Sequence, residues 1–149
     1  MEESVGRLEA IWIKRAHGGP MDSVESAVAV EDAGLDGNAD QGGWRQVTLI
    51  EKEVFDRISE ARGKVVDPSV RRANFLLSGV RLEETRNRVL RVGDLRIEIR
   101  GMTRPCELMN AQHEGLREDL DPHWGAGAFG VVLADADVAV GDEVGWEGT

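Results

Sequence analysis

The sequence has no tyrosine, only three phenylalanines and a single cysteine among its 149 residues. One cysteine cannot form a disulfide within the chain, and the three widely spaced histidines do not complete a zinc-binding pattern with it. No apolar run approaches the roughly 20 residues of a membrane-spanning helix. The core therefore has to be built from Val, Leu, Ile and the four Trp. With 18 Gly, this composition favours short strands joined by tight turns.

Lysine is also scarce, because it occurs only at Lys14, Lys52 and Lys64 and the rest of the 18 cationic residues are arginines. With 28 acidic residues, the chain has a formal net charge of -10. This balance argues against a nucleic-acid partner and against an anionic membrane surface, since both need a cationic face. Arginine is the side chain best suited to bidentate contact with oxyanions. A local arginine pocket inside an acidic protein is therefore an open alternative to ordinary surface salt bridges.

The length is that of one ordinary domain, and we expect residues 1–149 to form a single domain. The first residues, Met1-Glu2-Glu3-Ser4, are acidic and contain no apolar segment of a secretory signal. A lone cysteine also fits a reducing compartment. We therefore expect a cytoplasmic protein.

Hydrophobic patterning predicts many short strands and one well-defined helix. The expected strands are residues 5–13, 24–30, 45–50, 89–92, 95–100, 131–133, 138–140 and 144–146. The helix begins at Glu51, carries Val54 and Ile58 on one face, and ends at Gly63. We expect residues 135–136 to turn a hairpin between the two strands that flank them. The predicted fold is mainly β, a β-barrel with a few short α-helices.

A glycine-rich segment at residues 121–130 matches no nucleotide-binding motif. It lacks the Gly-Lys-Ser/Thr end of a P-loop, and its glycine spacing differs from that of a dinucleotide fingerprint. The sequence also contains no serine nucleophile elbow, HExxH pair, CxxC pair or EF-hand loop. These absences leave the cysteine and the arginines as the residues that could carry chemistry.

The single cysteine lies in the stretch Gly101-Met102-Thr103-Arg104-Pro105-Cys106, directly after the alternating strand at residues 95–100. Pro105 cannot donate a ladder hydrogen bond, so strand pairing is expected to stop there. Arg104 supplies a positive charge close to Cys106 in sequence, and cationic surroundings favour the reactive thiolate. Free cysteines also act as small buried hydrophobes, and the stretch alone does not exclude that role.

Six short motifs, in order along the chain, resemble the MOSC domain family, which is named for the C-terminal domain of molybdenum cofactor sulfurases. The motifs are Gly34-Leu35-Asp36-Gly37, Arg45-Gln46-Val47-Thr48-Leu49-Ile50, Arg71-Arg72-Ala73-Asn74, Thr103-Arg104-Pro105-Cys106, Gly127-Ala128-Phe129-Gly130-Val131 and Val140-Gly141-Asp142. No one of them is specific, but their order is, and together they span almost the whole chain.

The resemblance implies a MOSC-like β-barrel whose cysteine carries sulfane sulfur as a persulfide or ligates molybdenum. Cys106 falls on that position, as both catalytic residue and metal ligand, with Arg104 beside it as a second catalytic residue. The positions expected to bind a molybdenum cofactor (molybdopterin) are Arg71, Arg72, Asn74, Thr103 and Arg45. A thiolate is a soft metal ligand and a sulfur nucleophile, and arginine forks suit a phosphate, so the residue chemistry agrees with the family.

Three functions are open on this basis. The first is a sulfur carrier or sulfurtransferase that receives sulfur from a cysteine desulfurase and serves a molybdoenzyme. The second is a molybdenum cofactor-dependent oxidoreductase that reduces N-hydroxylated compounds with electrons from a separate reductase. The third is a non-catalytic module that binds the cofactor or another anion.

The sequence departs from the family in two respects. Asn38 stands where the family usually has an acid after Gly37. In this chain we also expect neither the N-terminal β-barrel domain of the larger molybdenum reductases nor the aminotransferase-like domain of the sulfurases. Since none of its three lysines lies in a suitable motif, we expect no pyridoxal phosphate site.

Overall fold

The protein is described here by a computed structural model that covers residues 6–104, 115–120 and 122–148. The strands are β1 (Gly6–Lys14), β2 (Met21–Val24), β3 (Ser26–Val30), β4 (Gly34–Leu35), β5 (Val47–Glu51), β6 (Phe75–Ser78), β7 (Val89–Val92), β8 (Leu95–Met102), β9 (Ala128–Val132), β10 (Ala136–Ala139) and β11 (Glu143–Trp146). The helices are α1 (Lys52–Arg62) and α2 (Leu116–Leu120), with 3-10 turns at Pro68–Arg71 and Pro122–Trp124. Among these residues, no helix is both long and apolar enough to cross a bilayer.

Seven strands close into a barrel in the order β11-β7-β8-β9-β5-β6-β1, and the pairing of β1 with β11 completes the ring. β2 pairs with β1 as an additional strand. Neighbours in the barrel are antiparallel except β5 and β6, which run parallel with Leu49 opposite Phe75. Parallel strands need a crossover connection, and α1 lies within it. The predicted β-barrel with a few short helices is confirmed.

The interior of the barrel is apolar because side chains alternate between its two faces. In β8, Leu95, Ile97 and Ile99 are fully buried, while Arg96 and Glu98 between them are only partly covered. This is the period-two pattern that the sequence showed. The strand that leads to residues 103 and 104 is thereby fixed in register.

Helix α1 packs on the outside of the barrel over a second apolar cluster. Val54, Phe55 and Ile58 are buried there together with Leu116 of α2. Gly63 ends the helix in a left-handed conformation with φ of 68°, as predicted, and its N–H donates to the helix C-terminus. Glu51, expected to open the helix, is its N-cap and also the last residue of β5, and its side chain makes no capping bond.

Three of the predicted strands differ from those observed. The strand expected at residues 138–140 is β10, at Ala136–Ala139. The strand expected at residues 24–30 is interrupted at Glu25, so that β2 pairs with β1 of the barrel and β3 lies in a separate sheet in the order β10-β3-β4. The strand expected at 131–133 begins earlier, at Ala128. Gly130 lies within this strand. The position requires glycine, because any side chain there would collide with the Glu98 carbonyl of β8.

The hairpin expected at residues 135–136 is wrong. β10 does not pair with β9 but runs antiparallel to β3, with Asp137 opposite Val28 and Ala136 opposite Ala29. The two partners are more than 100 positions apart in the sequence, and local patterning carries no information about such a pairing.

Candidate functional site

A pocket of about 360 Å³ opens where β5, the turn at Pro68–Arg71 and the chain after β8 meet. The described residues that line it are Lys14, Asp40, Arg45, Thr48, Leu49, Ile50, Arg71, Arg72, Ala73, Asn74, Thr103, Arg104 and Ala126. We call it the arginine pocket. It brings together six of the residues singled out in the sequence, namely Arg45, Arg71, Arg72, Asn74, Thr103 and Arg104.

Arg71 is held against the pocket wall by hydrogen bonds to two other parts of the chain. Its Nε donates to the Ala126 carbonyl at 3.0 Å, and its Nη2 donates to Thr103 Oγ1 at 3.1 Å. Thr103 is buried and donates in turn to the Ala126 carbonyl at 2.6 Å. The 3-10 turn that ends at Arg71 is started by Asp67, whose carboxylate accepts from the Ser69 N–H at 2.9 Å. The position of this positive charge is therefore fixed by the fold.

Arg72 and Arg104 are the cations of the pocket whose side chains have no partner among the described residues. Arg72 follows the turn in a left-handed conformation, with φ of 56° and ψ of 37°, which is uncommon for a residue with a side chain. Within the residues that the structure describes, neither guanidinium makes a hydrogen bond or an ion pair. Because each guanidinium has five donors, both side chains keep their capacity for a ligand.

Arg45 lies at the same pocket and stacks on an aromatic ring. Its Cζ lies 5.6 Å from the centroid of Phe129, within range of a cation–π contact. The preceding residue, Trp44, is exposed and carries Arg100 at 4.1 Å from its ring. The contact with Phe129 orients Arg45, and no described residue accepts a hydrogen bond from its guanidinium.

Sequence reasoning missed the ion pair between Lys14 and Asp40 in this pocket. Lys14 Nζ lies 2.9 Å from Asp40 Oδ2, and the Ala39 N–H donates to the Lys14 carbonyl at 2.6 Å. Asp40 is the one carboxylate among the described lining residues. The pair forms because the loop after β4 folds back onto the end of β1. No local sequence motif at Lys14 predicts that contact.

Asn74 lines the pocket, but its side chain is committed to the protein. Its Oδ1 accepts from the Thr48 N–H at 3.0 Å and from Thr48 Oγ1 at 3.2 Å. Its Nδ2 donates to the Trp12 carbonyl at 3.0 Å and to Asn38 Oδ1 at 3.1 Å. Both amide hydrogens and both oxygen lone pairs are thus used. In this structure Asn74 joins β1, β5 and the loop after β4 behind the arginines.

Asn38 is part of the same buried network. Its Oδ1 also accepts from the Lys14 backbone N–H at 2.8 Å, and its Nδ2 donates to the Asp40 carbonyl at 3.4 Å. An aspartate could accept the first bond but could not donate the second. The amide therefore suits this position.

The charge of the pocket is opposite to that of the whole chain. Five cationic side chains and one carboxylate line it, although the formal net charge of the protein is -10. Arginine forks bind phosphate and other oxyanions in bidentate geometry, and a partly enclosed pocket weakens competition from water. The donor set fits the phosphate of a pterin cofactor.

The predicted catalytic residue and metal ligand, Cys106, lies outside the described residues. Arg104, two positions before it in the sequence, is at the arginine pocket. In the part of the chain that the structure covers, no group of three His, Cys, Asp or Glu residues could hold a metal ion. The roles predicted for Cys106 therefore stay predictions.

Comparisons with known proteins agree with the fold. The YuaD protein from Bacillus subtilis has a similar structure, with a TM-score of 0.77 at 16% identity over 95% of this chain and 94% of that one. YiiM from Geobacillus stearothermophilus aligns with a TM-score of 0.72 at 14% identity, over 96% of this chain and 75% of that one. A comparison with curated proteins finds no match. The family model of the MOSC domain matches residues 14–145, and the chain therefore belongs to the MOSC domain family, which is associated with the molybdenum cofactor.

Proposed function

We propose that this MOSC domain binds the molybdenum cofactor in the arginine pocket, with the phosphate of the cofactor held by the arginines. The observation that carries the proposal is the convergence of five cations on one pocket of a chain with a net charge of -10. Arg72 and Arg104 are the best candidates for bidentate contact, because no described residue occupies their donors. Arg71 and Arg45 add positive charge from fixed positions.

The pocket residues have different tasks in this proposal. Arg72 and Arg104 bind the anion directly, while Thr103 keeps Arg71 in place. Asn74 acts behind them as a positioning residue, since its amide is used within the protein. Lys14 balances the charge of Asp40, so that this carboxylate does not repel the anion. When bound, the cofactor supplies a redox-active molybdenum centre that this chain does not make from its own side chains.

Cys106 is proposed to act as the sulfur residue of the site, either as a ligand to molybdenum or as a persulfide carrier. As a carrier, its thiolate attacks the outer sulfur of a donor persulfide. An S–S bond forms on Cys106, the bond within the donor breaks, and the donor cysteine leaves as a thiolate without any other oxidant. A cysteine desulfurase would be the donor and a molybdoenzyme the acceptor, in the cytoplasm. The oxidoreductase alternative requires a separate reductase in place of the desulfurase.

The test is to purify the protein from a host that makes the molybdenum cofactor and from one that does not. Wild type from the first host is expected to retain molybdenum and pterin in equal amounts. Arg72→Ala with Arg104→Ala should lose both, whereas Arg91→Ala, which removes an exposed arginine that does not line the pocket, should retain both. Persulfide mass on wild type but not on Cys106→Ser would support the carrier role. Wild type without molybdenum, pterin or persulfide from either host would contradict the proposal.

A further inference from the structure

A second pocket, of about 390 Å³, lies between α1, the residues after β6 and the segment around α2. It is separate from the arginine pocket but shares a wall with it. Ile50 lines the arginine pocket and the next residue, Glu51, lines the second one. Likewise, Ala126 lines the arginine pocket and the preceding residue, Gly125, lines the second one. We call the second cavity the Glu51 pocket.

One side of the Glu51 pocket is an apolar stripe of α1. Val54, Ile58 and Ala61 recur at positions i, i+4 and i+7, so their side chains lie along one face of the helix. Pro122 lines the pocket as well. A cavity of this size with an apolar wall is in the range of small-molecule sites in proteins.

Glu51 lies in this apolar setting with little compensation for its charge. The residue is 7% exposed, and its Oε2 accepts one long hydrogen bond of 3.3 Å, from the Leu82 backbone N–H. Among the described residues it forms no ion pair. Burial raises the pKa of this carboxyl. A buried carboxylate with so few partners is costly to the folded protein, and a cationic ligand would offset that cost.

Other charged groups of the pocket are exposed or paired within the protein. Arg57 and Glu118 are exposed, and Arg81 Nη2 lies 3.9 Å from Glu83 Oε1. His123 Nδ1 lies 2.9 Å from Glu83 Oε2, and Asp119 pairs with Arg62 at 2.7 Å. Among the acids that line the described part of this pocket, Glu51 is thus the buried one.

We propose that the Glu51 pocket is a second ligand site, which takes a small ammonium compound with an apolar body and pairs its charged nitrogen with Glu51. The apolar body lies along Val54, Ile58 and Ala61. The ammonium donates to the carboxylate oxygens that the Leu82 N–H leaves unused. The ligand class is an alkyl- or arylalkylamine, in contrast to the oxyanion of the arginine pocket.

The full chain can be titrated with three probes of the same shape, namely benzylamine, benzyl alcohol and benzoate. Binding is followed by the backbone amide resonance of Leu82, because this N–H bonds to Glu51 directly. Benzylamine is expected to shift that resonance in a saturable manner and to bind about tenfold or more tightly than the alcohol, as a charge-assisted hydrogen bond implies.

Two variants separate the charge from the apolar wall. Glu51→Gln keeps the shape and should weaken benzylamine binding about tenfold while leaving the alcohol unchanged. Ala61→Leu fills part of the cavity and should weaken the binding of both benzylamine and the alcohol. Arg91→Ala, which removes an exposed arginine that lines neither pocket, should leave both affinities unchanged. If benzoate binds as well as benzylamine, Arg57 or Arg81 dominates and the proposal is overturned. Benzylamine affinity that is unchanged in Glu51→Gln overturns it too.

Discussion

The arginine pocket and the Glu51 pocket lie on either side of the end of β5 and are of similar size, about 360 and 390 Å³. In the first, several cations share one pocket, and a buried amide network behind them uses all its hydrogen bonds. In the second, a single carboxylate is desolvated against an apolar helix face. One pocket gains selectivity from the number of charges, and the other from the burial of one charge. The two pockets should therefore respond differently to substitution.

The wall between the pockets is expected to be the most sensitive place. Gly127 has φ of 108°, and a side chain there would collide with the Leu49 carbonyl and lie 2.8 Å from Ile50 Cγ2. Gly127→Ala should lower the free energy of unfolding by about 3 to 5 kcal/mol, because strain adds to a backbone clash. Urea denaturation measures the effect.

Gly141→Ala is the matched control for that substitution. Gly141 has a φ of 99°, close to that of Gly127, but its added side chain would meet nothing within 4 Å. Its cost should be only about 1 kcal/mol, from the backbone conformation alone. Equal losses for the two variants would contradict the close approach of Gly127 to β5.

The amide network is the next most sensitive feature. Asn74→Asp keeps the shape of the side chain but cannot donate to the Trp12 carbonyl or to Asn38 Oδ1. We expect a loss of about 2 to 3 kcal/mol in unfolding free energy, since two buried acceptors lose their donors and a charge is added. Asn74→Ala should lose a similar amount. A variant aspartate with wild-type stability would show that the donated bonds are unimportant.

These residues also show what the sequence could and could not predict. The alternation from Leu95 to Arg100 and the helical spacing of Val54 and Ile58 are local patterns, and the corresponding strand and helix were predicted correctly. The positions of Arg71, Arg72 and Arg104 at one pocket followed from the family resemblance. The pairing of β10 with β3 could not be predicted, because it depends on residues distant in sequence.

Side-chain roles were harder to predict than side-chain positions. Asn74 was expected to bind the cofactor, and it does line the pocket, but only the structure shows that Thr48, Trp12 and Asn38 use its amide. Glu51 read as a helix-start residue because acids favour helix N-termini. Its burial depends on the loop that carries Leu82, which no local pattern placed there.

Glu51→Gln should change how the stability of the protein depends on pH. Burial raises the pKa of Glu51. The Leu82 N–H, Arg81 and Arg57 lower this pKa by less, and Glu53 raises it slightly further. The folded state therefore holds the proton more tightly than the unfolded state. Loss of this proton destabilises the fold, and the destabilisation develops as the pH rises through the raised pKa. Glu51→Gln should be about 1 kcal/mol more stable than wild type near pH 7. This gain should vanish below about pH 4, where glutamate is protonated in both states.

Thermal unfolding of both proteins across that pH range checks this prediction. Glu147 provides a control, because its pairing with Arg96 lowers the pKa of that carboxyl instead. Glu147→Gln should give no gain at neutral pH. A Glu51→Gln variant less stable than wild type at pH 7 would mean that the carboxylate is better paired than its surroundings indicate.

Arg72→Ala should have the smallest effect on stability, within about 0.5 kcal/mol, since no described residue pairs with its guanidinium. Its effect should fall on anion binding instead. Calorimetric titration with pyrophosphate, a probe for the phosphate of the cofactor, separates these two quantities. Arg91→Ala removes the same charge outside the pocket and serves as the control.

This titration is also the most direct test of the arginine pocket as an oxyanion site. We predict that pyrophosphate binds wild type and Arg91→Ala equally, and that Arg72→Ala and Arg104→Ala each weaken it about tenfold, as loss of a charge-assisted pair implies. Adding benzylamine should leave these affinities unchanged. Equal pyrophosphate affinity in all four proteins would contradict the account.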